Sequence, residues 1–477
     1  MPLFALVVWP FIAIILFVSL PRIKALILAI IVSHLILPEK YSINIQGLPG
    51  IDKNVIMMLG VFLGLMLVKD AAGNRRDPQK AAPKLLNTKP FVGVLVFGLL
   101  GLMIVGGIMT IATNQDPLSF GTTFLPGQRP WDLISLVFEN LIILAPFFLG
   151  RRYLATPEAH RTLLIFMVVA GLYYSLLALV ELRLSPQLHN WIYGYYQHSF
   201  LQHIRGGGFR PMIFLPHGLW VGFFFCSTVI GAFCLFRSRI DQAGKWGIAA
   251  VWLLLILLAS RNLGASAIAF MMIVVIWLPR VLQLRVIYAI AVVFLLFPAV
   301  RQYVVPLDRI VTATAAISED RAQSFEFRLR NEEQLLDRAG ERPMFGWGQW
   351  GRSRVYDESG RDLTVTDGIW VIVLGVGGWA YYVSYLGLLA LPTLLLPKVK
   401  RRKEIPIETI GLGLIVAANL IYLIPNSSLG PIEWLIAGAL AGFVQFDKKK
   451  VKDDATVVVE NDARESKYSR FAPGARA

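Results

Sequence analysis

Apolar runs of roughly 17 to 25 residues, the length that carries a helix across a hydrocarbon core, recur along nearly the whole chain. No other feature limits its folds so strongly. Inside lipid each such run must satisfy its own backbone hydrogen bonds, which a helix does. The composition agrees: 56% of 477 residues are hydrophobic and 16% charged, with a mean hydropathy of +0.60. A water-soluble domain is excluded.

The runs predict spans at 3–20, 23–38, 54–68, 91–113, 131–149, 162–181, 218–236, 246–260, 263–279, 286–300, 368–396, 407–425 and 431–446. Short basic segments fall at alternate connections: "VKDAAGNRRDPQKAAPK", "GRRYLATPEAHR", "RSRIDQAGK", "RVLQLR" and "KVKRRK". The positive-inside rule makes these cytoplasmic. Thirteen spans then put the N-terminus outside, and a twelve-span chain with both ends inside fits almost as well. The chain divides into residues 1–300, with ten membrane helices and outer loops 114–130 and 182–217, a large extracytoplasmic loop 301–367, C-terminal membrane helices in 368–446, and a tail 447–477 whose polar composition predicts disorder on the cytoplasmic side.

Basic residues are distributed oddly. From Pro90 to Pro397 the only lysine is Lys245, whereas 301–367 carries ten arginines. Positive-inside bias does not explain cations kept outside. The segment also holds twelve acidic residues, so ion pairing accounts for many of them. The stretch Ala322 to Ala339 reads as an amphipathic helix stopped by Gly340, with Glu326 and Arg330 at the i, i+4 spacing of an ion pair. Pairing alone would not exclude lysine, and planar, two-pronged recognition of phosphate favours arginine.

Absences narrow the chemistry. There is no phosphate-cradling G-x-x-x-x-G-K-[ST] loop, no Asp-x-Asp pair and no H-E-x-x-H motif. Cys226 and Cys234 lie eight apart on one span, too far apart on one helix to bridge each other. The first apolar run has no charged leader and no small-residue cleavage site, and reads as a membrane helix. No internal repeat is evident. His189, His198, His203 and His217 share one outer loop, at spacings that match no compact metal motif.

That loop, "HNWIYGYYQHSFLQHIRGGGFRPMIFLPHGLW", also carries Trp191, Tyr193, Tyr195 and Tyr196, as an interfacial belt or as sugar-stacking faces. Gly206 to Gly208, flanked by Arg205 and Arg210, permit a tight turn or close backbone approach. His217 sits at the mouth of the next helix, where an anion is favoured. Arg261 occupies the hairpin "SRNLGAS", as a snorkelling or a functional residue. Glu139 lies within a span, and an intramembrane carboxylate calls for a partner, by default an arginine.

The run from Arg328 through "LRNEEQLLDRAGERPMFGWGQWG" resembles the O-antigen ligase and polymerase superfamily: an arginine, about fifteen helical residues, then Pro-x-x-Gly-x-Gly, here Pro343, Gly346 and Gly348. The "SRNLGAS" hairpin is similar to the family's short Ser-Arg-Gly-like turn. "TDGIWVIVLGVGGW" stands where many members have His-Asn, a Leu-rich helix and Gly-x-x-Gly. The resemblance covers about residues 200 to 400.

It implies an all-α polytopic membrane protein of about 12–13 helices, GT-C-like, with one large, partly helical extracytoplasmic loop. It further implies a multi-pass protein of the bacterial inner membrane, with its active site facing the periplasm. The activity would be metal-independent, inverting glycosyl transfer from an undecaprenyl-diphosphate-linked glycan, with membrane lipid around it and no cofactor. A chain-length-regulating membrane partner is a further expectation; no nucleic acid is implied. Arg205, Arg210, Arg261 and Arg328, then Arg330 and Arg342, would hold the diphosphate. Asp367 replaces the family's histidine and is the candidate base or, equally, a helix cap; His217 is the rival base. The departure at Asp367 and Gly368 favours a polysaccharide polymerase, with an O-antigen ligase acting on lipid A core, an anion transporter or a structural subunit as alternatives.

Overall fold

Each apolar run forms a helix that ends where prolines, caps or polar turns interrupt it. The computed structural model describes residues 1–44, 49–68, 85–205, 207–239, 242–303, 319–349, 351–399 and 402–448. Its helices are α1 (Pro2–Ser19), α2 (Arg22–Ile36), α3 (Lys53–Leu67), α4 (Pro90–Ala112), α5 (Pro130–Tyr153), α6 (Pro157–Leu184), α7 (Leu188–Tyr193), α8 (Gly218–Ser238), α9 (Ala243–Ala259), α10 (Leu263–Trp277) and α11 (Arg280–Tyr303). Then follow α12 (Glu319–Gly340), α13 (Ile369–Tyr381), α14 (Gly387–Leu395), α15 (Ile407–Tyr422) and α16 (Pro431–Gln445). Prolines open α4, α5, α6 and α16, where the missing N–H would have had no intrahelical partner. Asp52, Thr156 and Asn262 cap α3, α6 and α10 through their side chains.

Among the described residues, seven helical segments are long and apolar enough to cross a membrane, and five shorter apolar helices stand among them. The chain is an all-helical, multi-pass membrane protein. Among the described residues the sheet amounts to three two-stranded ribbons. The tail from residue 449, the basic loop 69–84 and Arg309 lie outside the described residues. The cysteines Cys226 and Cys234 are buried and free.

Close helix contact rests on glycine where backbones touch. A Cβ at Gly150 would overlap the Leu435 carbonyl, one at Gly438 the Phe147 carbonyl, and one at Gly442 the Arg151 carbonyl. These three glycines press α5 against α16 backbone to backbone, and small residues do this for membrane helices generally.

The sequence shows no discontinuous helix, yet α13 is broken at Gly378, whose φ is +63° and ψ −164°. The break lies nine residues in, roughly 14 Å along the helix at 1.5 Å per residue. Unpaired backbone at that depth would be costly. Residues 343–348 close it. Trp347 N–H donates to the Gly375 carbonyl and Gly348 N–H to that of Val376, each at 2.9 Å; Trp379 and Ala380 N–H donate to the Pro343 and Met344 carbonyls at 2.8 and 3.1 Å. A Cβ at Gly346 (φ +65°) or Gly378 would collide with the facing backbone. The Pro-x-x-Gly-x-Gly segment is thus a plug for the broken helix.

Arginine builds the rest of this loop. Arg352 is 1% exposed and donates Nε to the Trp347 carbonyl at 3.1 Å, with Nη1 and Nη2 to those of Pro126 and Asp116 at 2.9 Å each. Three acceptors around one plane suit a rigid guanidinium and not an ammonium. Arg338 and Arg342 pack on the Trp347 ring, 3.3 and 4.3 Å from its centroid. The missing lysines therefore have a structural cause as well as any phosphate-binding one.

On the neighbouring loop, Glu181 is buried at the end of α6 and accepts from the N–H groups of Leu188, Met212 and Ile213 at 3.0, 2.8 and 2.7 Å. Those bonds hold Ile213 at φ +54°, a conformation a β-branched residue rarely adopts. Tyr193 and Tyr195 donate to the Ile36 and Glu39 carbonyls, so these two rings clamp the loop to the α2–α3 turn, while Trp191 stays exposed.

Gly438→Val is expected to abolish the α5–α16 contact and reduce folded protein recovered from mild detergent severalfold by size exclusion. Gly98→Val, where a Cβ meets nothing within 4 Å, should recover like wild type. Arg352→Lys leaves at least one buried carbonyl without its donor, at about 1–3 kcal/mol each. Faster proteolysis of 341–366 is the expected readout.

Candidate functional site

Four of the predicted residues meet in two pairs, Arg210 with Arg261 and Arg328 with Asp367. Arg261 follows α9 with φ +57°, a left-handed conformation that its hairpin imposes at about 1–2 kcal/mol. Its carbonyl accepts from Arg210 Nη2 at 3.3 Å. Its guanidinium covers Gly208, where a Cβ would overlap it. Gly207, at φ +75°, belongs to the turn of the ribbon pairing Ile204 with Phe209 and Arg205 with Gly208. The glycine run thus supplies both a turn and a close approach. Arg205 lies beside this pair by its backbone, and its side chain lies outside the described residues.

A second group forms around α12. Arg328 Nε stands 3.6 Å from Asp367 Oδ2, with the two side chains about half and a third exposed. Two contacts set their register. Arg301 pairs with Glu332 at 3.6 Å and donates to the Leu329 carbonyl at 3.3 Å, and Asn331 Oδ1 accepts from Val365 N–H at 3.0 Å. Asp367 does not cap the following helix; the N-cap is Gly368, with no side-chain bond.

The end of α15 joins the groups. Tyr422 accepts from Asn262 Nδ2 at 2.8 Å and donates to the Leu219 carbonyl at 3.0 Å, beside Arg261 and His217. The next residues receive the start of α13: Ile369 N–H donates to the Leu423 and Asn426 carbonyls at 3.3 and 3.0 Å, and Trp370 Nε1 to that of Ile424 at 3.1 Å. Neither Tyr422 nor Asn262 stood out in the sequence, where each is one polar residue in an apolar setting.

Other predicted residues are engaged elsewhere. Arg330 pairs with Glu326. Arg342 donates to the Thr113 carbonyl and, at 2.9 Å, to Asn114 Oδ1, tying its loop to the end of α4. Gln349, and no arginine of the described residues, stands among the polar neighbours of Glu139, where the sequence suggested an arginine partner. Gln349 could not be found from spacing, since a loop 210 residues away delivers it.

The sequence spacings gave no metal motif, yet folding brings His198, His203 and His217 together, with ligand atoms within 4.8 Å of one another. Among the described residues this trio is where a metal would find several nitrogens. His217 also caps α8, its Nδ1 accepting from Leu219 N–H at 3.0 Å. The neutral ring then carries its proton on Nε2, which suits donation to an anion better than coordination or proton uptake.

Residues 246–372 match the O-antigen ligase family model. The chain carries an O-antigen ligase domain. The matched segment runs from α9 through Arg261, α12 and the plug to the start of α13, so it contains Arg261, Arg328 and Asp367. Ligase- or polymerase-type glycan transfer, by a membrane enzyme on lipid-linked glycans, is the activity this domain supports. No curated protein matches the chain.

Two histidines of the 185–217 loop make it acid-sensitive. Burial, with the charge of Lys40, holds His198 below its ordinary pKa; burial, with Lys53, does the same for His189 against an opposing bond to the Tyr195 carbonyl. Unfolding then takes up protons, so stability is complete above about pH 6.5 and falls as pH drops through that value toward the folded pKa values. The loop is expected to be cut by protease faster at pH 5.5 than at pH 7.5, with a smaller difference in His198→Asn. Equal rates at both pH values would refute this.

Proposed function

We propose that this O-antigen ligase domain protein is a polysaccharide polymerase. It would transfer a glycan from undecaprenyl diphosphate onto another lipid-linked glycan at the outer face of the bacterial inner membrane. The observation that carries the reading is the joining of two arginine groups, Arg210 with Arg261 and Arg328 with Asp367, through the single helix end Tyr422–Asn426.

The chemistry follows from those groups. The acceptor hydroxyl attacks the anomeric carbon, the bond to the diphosphate oxygen breaks, and the configuration inverts. Guanidinium groups already in place neutralise the charge that develops on the departing diphosphate. An exposed ion pair such as Arg328–Asp367 contributes only about 0–1 kcal/mol, so a diphosphate can take Arg328 readily. Asp367, relieved of its cation, becomes the better acceptor for the hydroxyl proton. His217 fits as a donor to phosphate. Arg330 and Arg342 have a smaller part, given their other bonds.

The alternative acceptor, lipid A core, would make the protein a ligase, the activity that the family description names. A transporter reading gains little from the broken helix, because the plug bonds the Gly375 and Val376 carbonyls and the Trp379 and Ala380 N–H groups on either side of Gly378. A chain-length partner remains an expectation from the resemblance.

The test is deletion of the gene and complementation with variants, with surface polysaccharide read on a gel. Arg261→Gly removes the guanidinium while relieving a positive φ, so it should fold at least as well as wild type and yet lose most polymer. Arg328→Ala and Arg328→Lys should both fall at least tenfold, and Asp367→Asn about 100-fold, the scale of a lost general base. Full activity in both Arg261→Gly and Arg328→Ala would remove these groups from the mechanism. Single repeats on lipid A would indicate the polymerase, and uncapped lipid A the ligase.

A further inference from the structure

A cavity of about 200 Å³ lies between α2, α3, α5, α8 and α16, apart from the arginine groups. We propose that it is a neutral sugar-binding site, holding one ring of the acceptor glycan; this rests on the glycan-transfer reading above. Its polar wall is formed by His34, Glu39, Lys53 and Asn54; Trp220 adds an indole face, and the fully buried Trp434 backs the wall.

The charges decide the class of ligand. Lys53 and Glu39 form a nearly buried ion pair, and Lys53 Nζ also donates to the His34 carbonyl at 3.3 Å. The cation is already matched, so a phosphate entering here would have to break that pair, which is strongly unfavourable for buried charges. An uncharged ligand with several hydroxyls keeps the pair and adds hydrogen bonds to it. His34 is 6% exposed and its Nδ1 has no hydrogen-bond partner among the described residues, a vacancy that a hydroxyl fills. Tryptophan and imidazole rings, with His34 and Trp220 centroids 5.9 Å apart, offer flat apolar surface for a sugar face. At about 200 Å³ the space is below the roughly 300–1,000 Å³ of drug-sized pockets. It suits a single ring and not a polyprenyl chain.

Its place in the fold supports the acceptor role. Trp220 lines the cavity while Gly218, two residues earlier, packs on the Arg210 side chain. Two residues along a helix of 3.6 per turn point to opposite sides. The cavity and the arginines therefore flank the same first turn of α8. Ile142 and Ile143 form the α5 side of the cavity, and Ile143 is 37% exposed.

The experiment uses the full chain in nanodiscs and two calorimetric probes: the repeat-unit oligosaccharide cut from the cells' own surface polysaccharide, and undecaprenyl diphosphate without sugar. Ile143→Phe narrows the cavity and Asn54→Ala removes one polar group, and unchanged melting temperatures establish that both fold. Each is expected to weaken oligosaccharide binding at least tenfold and leave undecaprenyl diphosphate within twofold. Unchanged oligosaccharide affinity in both, no oligosaccharide binding by wild type, or parallel loss of undecaprenyl diphosphate would overturn the assignment. Arg328→Ala separates the two readings: it should lose undecaprenyl diphosphate and keep the oligosaccharide. Undiminished lipid diphosphate binding there would count against the arginine site while leaving the cavity result standing.

Discussion

The structure depends on one constraint: a backbone N–H or C=O inside hydrocarbon must find a partner within the protein. The apolar runs meet it by coiling into helices. The exception at Gly378 meets it by borrowing another segment, so the Pro343–Gly348 plug is tied to the broken α13. That plug follows α12 directly and so ties the helix that carries Arg328 to α13, whose start follows Asp367. The catalytic candidates are placed by backbone bookkeeping some distance away.

Arginine then serves two purposes in the same loop. Arg352 and Arg342 are consumed by carbonyls and amides, and Arg338 by Trp347 and Glu341, so their planar forks act as joints between segments. Arg328 and Arg261 differ. The first is half exposed and contacts the Asp367 carboxylate, and the second is held by its hairpin in a left-handed conformation over Gly208. Position and strain, more than residue type, separate joint from site.

The fold was largely legible in the sequence, because hydropathy of a run reports directly on its solvent. The amphipathic helix ahead of Gly340 was legible for a similar reason, its charges recurring at helical spacing. Local signals failed where long-range partners decide. Gly375 and Gly378 stand in an apolar run with no local sign of a break, yet they accommodate a plug from thirty residues earlier. Glu181 carried no sequence signal, yet it organises Met212 and Ile213. The histidines had no motif spacing, yet three converge because a hairpin and a helix cap face each other.

By itself the sequence determined the solvent, the helical class of the spans, the alternation of basic loops and the residues from which a phosphate site can be drawn. Tertiary structure alone decided which arginines are joints, that Arg210 meets Arg261 and Arg328 meets Asp367, and that Tyr422 links them. The reason is physical. Hydropathy is a property of each segment and survives without its neighbours, whereas a guanidinium's role depends on which acceptors folding brings within about 3 Å, and those come from parts of the chain that no spacing rule connects.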